Sequence, residues 1–389
     1  MKLLAVSTSC WSEVNREFYR RLNAEGWEVR IVIPSVWNFG GKTLAAEVRT
    51  SEDPTIEFLQ PTNFHHRLYR LKNIKSVILN FKPEVIYYEG DPGSLMCAIL
   101  GRIAKRGGIK LFALSNENLS QSPLAVVKRE GKTQFFNALI KYALIQYSKS
   151  KIDCLLVINR DGLSFFQKLG FKKVVKTPLG FNENFFKIDT EKGIEVRDRL
   201  GISQDNIVVA YFGRLIYEKG LHLLIEALEK VDLHNFSLLI DKFSRYSDPY
   251  QQQVYDSIMN SSLKNNTVFI ETQHLEIADY MNASDITILP SISTKTWLEQ
   301  YGRVVPEAKA CGSLVIVSND GAPKDFFEED YPFIFQSGSV DDLIEKIENA
   351  AITLKKSNYN RKINSERTIK DFSLTAQIDV FKTVLNDFD

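Results

Sequence analysis

Two glutamates eight positions apart, Glu299 and Glu307, flank a Tyr-Gly turn and a proline in the segment WLEQYGRVVPEAKACG, residues 297 to 312. A carboxylate accepts two hydrogen bonds from a vicinal diol, so one glutamate can hold a ribose and the other a sugar hydroxyl. An acid in a helix's first turn is also favoured by the helix dipole alone, by roughly 0.3–1 kcal/mol, and that accounts for Glu307 without any ligand. No such effect accounts for Glu299. Upstream, NIVVAYFGRLIYEKGLHLLIEAL (206 to 228) carries Arg214 and Lys219 in a Gly-Arg turn ahead of a helix. A fixed guanidinium, a mobile ammonium and free helical N–H groups together make a diphosphate site. Alone, such an Arg and Lys are usually solvated charges; followed by the paired glutamates, they read as one constellation.

The elements that must position these groups are legible from pattern. DITILP (285 to 290) and LVIVS (314 to 318) read as β-branched strands, so the segment between them crosses over as loop plus helix. Pro306 suits the first helical turn and Gly312 the C′ position that ends it. Leu221, Leu224, Ile225 and Leu228 recur at helical spacing after the Gly-Arg turn. Parallel sheets covered by helices bind ligands beyond the carboxyl ends of their strands, and both glutamates fall on that edge.

FGRLIYEKG followed by EQYGRVVPEAKACG resembles the retaining glycosyltransferases of family 4, which have the GT-B fold. SEVNREFYRRLNAEGWEV (12 to 29), VIYYEG (85 to 90), SNEN (115 to 118) and TPLGFNENFF (177 to 186) resemble further landmarks of that family in the same order. The resemblance implies that Arg214 and Lys219, beside Gly213, hold a donor diphosphate, that Glu299 contacts the transferred sugar, and that Glu307 holds the ribose. Tyr301 and Gly302 would supply turn backbone near the sugar. Trp11, Glu117 and Asn118 would lie on the acceptor side, and His274 near the nucleobase, although a solvated surface histidine is the plainer reading there. The implied architecture is two Rossmann-like α/β domains facing across a cleft. These are an acceptor-binding domain over 1–180, a nucleotide-sugar domain over 181–366, and a closing helix over 367–389 that returns to the first. The chain departs from the family in three places. Asp241-Lys242-Phe243 stands where glycines are usual, a single Gly321 replaces a Gly-Gly pair, and Glu117-Asn118 replaces a histidine.

Composition is consistent with that expectation. At 389 residues the chain exceeds what one core comfortably serves. Strand patterns at 3–7, 29–34, 85–89, 110–115 and 154–159 precede the boundary segment KTPLGFNENFF, and further strands are expected from 206, 236, 267, 285 and 314. The loop at Ser9, Cys10 and Trp11 lacks G-x-G-x-x-G, which argues against a dinucleotide dehydrogenase. The four cysteines are scattered and show neither ligand spacing nor a disulfide framework, as in a cytosolic protein. MKLLAV reads as a first strand rather than a signal peptide, and no segment reaches the length of a membrane span. No metal ligand set is apparent among the five histidines or at Asp387 and Asp389. The expected reaction therefore uses no metal and no cofactor, with the nucleotide-diphosphate sugar as a substrate.

The net charge of +1 hides an asymmetry. Residues 1–185 hold 27 Lys and Arg against 16 Asp and Glu, the remainder 22 against 32, so the halves carry +11 and −10. The excess concentrates in residues 60–151, in stretches such as VVKREGKTQFFNALIKYALIQYSKSK where aromatics are interleaved. A basic amphipathic helix of this kind either binds an anionic membrane face or a polyanionic acceptor, or simply presents a solvated face. The expected partners are thus a nucleotide-sugar donor, a glycan or lipid-linked acceptor and an anionic membrane surface, without nucleic acid. The expected place is the cytoplasm or the inner face of its membrane. Two other readings remain open: a metal-independent sugar-nucleotide epimerase of the same fold, and a scaffold subunit with an idle site.

Overall fold

In the computed structural model, residues 1–39, 42–243, 248–271, 276–356 and 358–388 are described. The chain divides into two compact units, one formed by Met1–Thr177 with Ile378–Asp389 and the other by Pro178–Gln377.

The first unit contains β1 (Lys2–Ser7), β2 (Glu28–Pro34), an antiparallel pair β3 (Val36–Phe39) and β4 (Lys42–Ala45), then β5 (Thr55–Leu59), β6 (Val85–Glu89), β7 (Lys110–Ser115), β8 (Cys154–Val157) and β9 (Val174–Lys176). Apart from the β3–β4 pair these form one parallel sheet in the order β5-β2-β1-β6-β7-β8-β9. The inner strands read as continuous apolar runs because helices cover both faces of a parallel sheet, leaving no solvent side to specify. Leu3, Leu4 and Ala5 of β1 and Leu155 of β8 are fully buried. The chain's last helix, Leu374–Asn386, contributes Phe381 to this unit, where its ring lies 4.9 Å from Tyr87 and 5.5 Å from Phe18. The closing segment is two helices rather than one. Arg361–Phe372 belongs to the second unit, where Ser365 Oγ donates to the carbonyl of Ala310, and the chain breaks at Ser373 before returning.

The second unit carries β10 (Ile207–Tyr211), β11 (Phe236–Asp241), β12 (Thr267–Ile270), β13 (Ile286–Leu289), β14 (Leu314–Ser318) and β15 (Ile334–Phe335). All are parallel, in the order β12-β11-β10-β13-β14-β15. Strand order reverses between β10 and β13 here and between β1 and β6 in the first sheet, so each unit has a switch point where loops diverge to opposite sides. Phe243, which stands where glycine was expected by resemblance, is buried against Tyr255 and Phe269, so the chain after β11 closes onto the core there. Among the described residues no helix is long and apolar enough to cross a membrane.

Candidate functional site

The loop leaving β10 is held by its own strand. Tyr211 folds forward so that its hydroxyl donates to the carbonyl of Arg214 at 2.9 Å, and the Ile216 N–H donates to the same carbonyl at 3.0 Å. Gly213 precedes this anchored carbonyl, and the Arg214 side chain is exposed. One 3-10 turn later, Tyr217–Lys219, the backbone at Gly220 adopts φ +69° and starts the helix Leu221–Lys230. A β-carbon at 220 would lie 1.9 Å from the carbonyl oxygen of Pro290, so only glycine fits. That close approach, sealed by the Ile292 N–H donating to Glu218 O at 2.8 Å, ties the loop after β10 to the loop after β13.

The consequence is a contact between residues 80 positions apart. Lys219 Nζ forms an ion pair with Glu299 Oε2, and both side chains are buried. Ser291 Oγ donates to the same carboxylate oxygen at 3.1 Å, and the Trp297 ring centroid lies 5.7 Å from the ammonium. The backbone of Glu299 is fixed from the loop after β14, where the Ala322 N–H donates to its carbonyl at 3.0 Å. Gly321, at φ +75°, makes this approach possible, because a β-carbon there would sit 2.7 Å from that same oxygen. The single glycine retained after LVIVS therefore serves the placing of Glu299.

The helix Val304–Ala310 follows, ending at Cys311 with Gly312 beyond it at φ +87°. Its N-cap, Arg303, makes no side-chain cap, Pro306 has no N–H, and the Glu307 N–H donates to the carbonyl of Arg303 at 3.3 Å. Pro306 and Glu307 lie within this first turn and a half. The Glu307 side chain is 12% exposed and sits 3.4 Å from Arg303 Nε. Burial pushes its carboxyl up to about 7, opposed by the Arg303 charge. Gly302 accepts from the Val305 N–H at 2.9 Å and so belongs to the turn itself. The Tyr301 side chain serves the fold: its hydroxyl oxygen accepts from the Leu179 N–H at 2.9 Å, and its ring packs edge-on to Phe326 at 4.9 Å.

The three acceptor-side candidates occupy the carboxyl edge of the first sheet. Trp11 closes a 3-10 turn after β1, and its carbonyl accepts from the Glu47 N–H at 3.1 Å. Glu117 and Asn118 follow β7, and Asn118 is buried. Glu117 pairs with Lys141 at 2.8 Å, and the same ammonium pairs with Asp91 at 2.9 Å. Burial raises the Glu117 carboxyl above its ordinary value against the pull of Lys141. Lys141 is 2% exposed, so this lysine of the basic segment is an internal charge rather than a surface one. Its signal was available in the sequence, since Ala138, Lys141, Ile145 and Ser148 share one helical face, and that face is the buried one. Sequence reasoning also missed Asp91 and Glu89. The Glu89 carboxylate, at the end of β6, accepts from Ser7 at 2.5 Å, Ser9 at 2.6 Å and Tyr19 at 2.7 Å. His274 lies outside the described residues.

Two parallel sheets, each with its switch point, define the two-Rossmann-like architecture of the GT-B fold, and solved structures share it across the whole chain. Sucrose-phosphate synthase from Thermosynechococcus elongatus is similar at TM-score 0.71 with 16% identity, covering 100% of this chain and 99% of that one. HepE of Anabaena, solved in complex with UDP, is similar at TM-score 0.74 with 16% identity, covering 99% of this chain and 100% of that one. Residues 194–366, all within the second unit, match the family described as "Glycosyl transferases group 1". In sequence, the chain is 29% identical over 172 residues to TuaC of Bacillus subtilis (strain 168), a glycosyltransferase named for teichuronic acid biosynthesis. It is 26% identical over 151 residues to the uncharacterized glycosyltransferase MJ1607 of Methanocaldococcus jannaschii. These matches cover 44% and 38% of this chain and only 39% and 36% of the relatives' lengths.

Proposed function

We propose that the protein is a retaining glycosyltransferase of family 4, which moves a sugar from a nucleotide-diphosphate sugar to an acceptor hydroxyl in glycan or glycolipid assembly. The observation that carries this reading is the meeting of Lys219 with Glu299 at the β10–β13 switch point, in the unit that also carries the exposed Arg214 and the buried Glu307. The group 1 match over the same unit supports it, as does the UDP complex of a protein with this fold.

In this reading Arg214, Lys219 and the first turn of helix Leu221–Lys230 neutralise the departing diphosphate as its bond to the anomeric carbon breaks. Glu307 accepts from the ribose diol. The diphosphate competes with Glu299 for the Lys219 ammonium, and the carboxylate so released accepts from a hydroxyl of the transferred sugar. The acceptor hydroxyl attacks from the face the diphosphate leaves, which retains configuration, and its proton passes to the departing phosphate oxygen. Protein cations thus do the work for which other transferases use a metal. Acceptor contacts are assigned to Trp11, Glu117 and Asn118. The acceptor is lipid-linked or polyanionic, and the setting is cytoplasmic, against an anionic membrane face.

A panel of nucleotide sugars screened by thermal shift tests the donor, since a ligand at one hundred times its Kd stabilises by about 2.7 kcal/mol. Transfer to a hydroxyl acceptor with the anomer read by NMR tests retention. Interconversion of nucleotide sugars without an acceptor would instead establish an epimerase, and the absence of any nucleotide-sugar stabilisation would leave an idle scaffold.

A further inference from the structure

The helix Phe135–Lys149 is apolar on both sides. Ala138 and Ile145 are buried on its inner face, while Phe136, Ile140, Ala143 and Tyr147, spaced i, i+4, i+7 and i+11, form a continuous stripe on its outer face. A helix that is apolar all round is ordinarily buried all round. This one is not: Phe136 is 73% exposed, Phe135, Leu139, Ile140 and Tyr147 are exposed with it, and Leu124 on the adjoining helix Pro123–Glu130 is 81% exposed. Of the eighteen exposed large apolar residues among those described, six fall between 124 and 147. Elsewhere they occur singly or in pairs, as single apolar residues do on any surface.

The charges around the stripe have one sign. Lys128 and Lys132 are exposed just before its start, and Lys151 stands 3.5 Å over the Tyr147 ring at its end. No acidic residue occurs in Phe135–Lys149, and Glu130, at the end of the preceding helix, is paired with Arg129 at 2.7 Å. Within the helix, Lys141 is turned inward to Asp91 and Glu117, and Lys149 donates to the carbonyl of Leu169 at 2.9 Å. A second copy of the chain packed face to face here would bring like charges together, whereas an anionic lipid leaflet supplies both an apolar medium for Phe136 and Ile140 and counter-charge for Lys128 and Lys132.

We infer that the outer face of Phe135–Lys149, with Leu124, is the surface by which this protein seats in an anionic membrane leaflet, the aromatic and aliphatic side chains entering the headgroup boundary and the lysines holding the phosphates. This deepens the functional reading by naming the surface behind a lipid-linked acceptor, and it is measured without sugar transfer. The full chain is sedimented at low salt with phosphatidylcholine vesicles, with and without phosphatidylglycerol. Binding is expected only to the anionic vesicles. Phe136→Ser with Ile140→Ser is expected to weaken it about tenfold, and Lys128→Glu with Lys132→Glu by about thirtyfold or more, from roughly 1 kcal/mol for each of the two basic residues. Because these side chains are exposed, melting temperature and nucleotide-sugar thermal shift should not change; Leu124→Ser on the neighbouring helix gives an independent variant. A tryptophan placed by Phe136→Trp should be quenched by brominated lipid. Equal binding to both vesicles, or anionic binding that the apolar substitutions leave intact, overturns the assignment, the latter reducing it to charge alone. A concentration-dependent dimer lost in Phe136→Ser, with no vesicle binding, gives the face to a second copy instead. If vesicle binding stands but no nucleotide sugar stabilises the protein, the functional reading fails and this surface does not.

Discussion

The carboxyl edges of the two sheets invert the charge of the halves that carry them. Residues 1–185 hold a net +11 and the remainder −10, so bulk charge would send a diphosphate to the first half. At the first sheet's edge, however, Asp91 and Glu117 both pair with the buried Lys141, and the Glu89 carboxylate stands at the end of β6. At the second, Arg214, Lys219 and Arg303 stand with Glu299 and with Glu307, whose carboxyl is pushed up to about 7 by burial. A site's sign is set by the few groups its loops bring together, because charges beyond a Debye length of about 8 Å are screened at physiological salt. At the first edge three hydroxyls donate to Glu89. The second edge keeps the exposed guanidinium of Arg214, and so retains capacity for an anion.

Removing cations from the second edge should have the largest effect. Arg214→Ala and Lys219→Ala are each expected to lower turnover by about 10²–10³, as losses of groups that stabilise charge in the transition state. They should differ in stability. Arg214 is exposed and its loss should leave the melting temperature unchanged, whereas Lys219→Ala strands the buried Glu299 and should cost about 3 kcal/mol by urea titration. Arg214→Lys should not fully rescue, because an ammonium lacks the planar fork. Near-normal transfer in both alanine variants would end the comparison in favour of some other anion site.

The same operation on the first edge should have a different signature. Lys141→Ala leaves Asp91 and Glu117 facing each other without their cation and should cost about 3 kcal/mol of stability while leaving nucleotide affinity unaltered. A drop in nucleotide affinity of the folded variant, seen by calorimetric titration, would mean that the two edges are not independent.

How far these edges could be read beforehand follows from what each depends on. The strands flanking the second site are uninterrupted β-branched runs, and its loops carry Gly, Arg and Glu at short spacings, so Arg214, Lys219, Glu299 and Glu307 were all nameable from sequence. That Lys219 and Glu299 touch was not, since it rests on the approach of Gly220 to Pro290 across the switch point, which no local pattern encodes. Edge strands β5, β9 and β15 and the β3–β4 pair went unnoticed because short, half-exposed strands carry little apolar signal. Lys141 was misread as a surface cation for the opposite reason: lysine composition outweighed its position on the same face as Ala138 and Ile145.

Glu307 offers a smaller effect with a definite sign. Its carboxyl is raised by burial to about 7, above its ordinary value of 4.5, so folding favours the protonated form. The stability it contributes is full below about pH 4.5 and is lost as pH rises through 7, by roughly 3 kcal/mol at most. Glu307→Gln should therefore flatten that part of the stability profile and gain most in melting temperature at alkaline pH. A ribose diol donating to the carboxylate favours the ionised form, so nucleotide binding near pH 7 should release a fraction of a proton, visible as a buffer-dependent enthalpy in the wild type and absent in Glu307→Gln. A nucleotide affinity unchanged in that variant, with no buffer dependence in the parent, would return Glu307 to the role its place in the helix already explains.

The weakest expected response is to chelation, and its weakness is what makes it informative about the second edge. If Arg214 and Lys219 carry the developing diphosphate charge, then a divalent cation adds a stabilisation the protein already supplies. Transfer in EDTA should then stay within about twofold of the untreated rate, and raising monovalent salt should depress donor affinity only modestly, because Lys219 is buried and its interactions are little screened. Loss of transfer in EDTA with recovery on magnesium would mean that the cations of this edge do not suffice alone. In that case the Lys219–Glu299 pair becomes the first place to look, since a carboxylate released from its lysine is a group to which a hard cation binds.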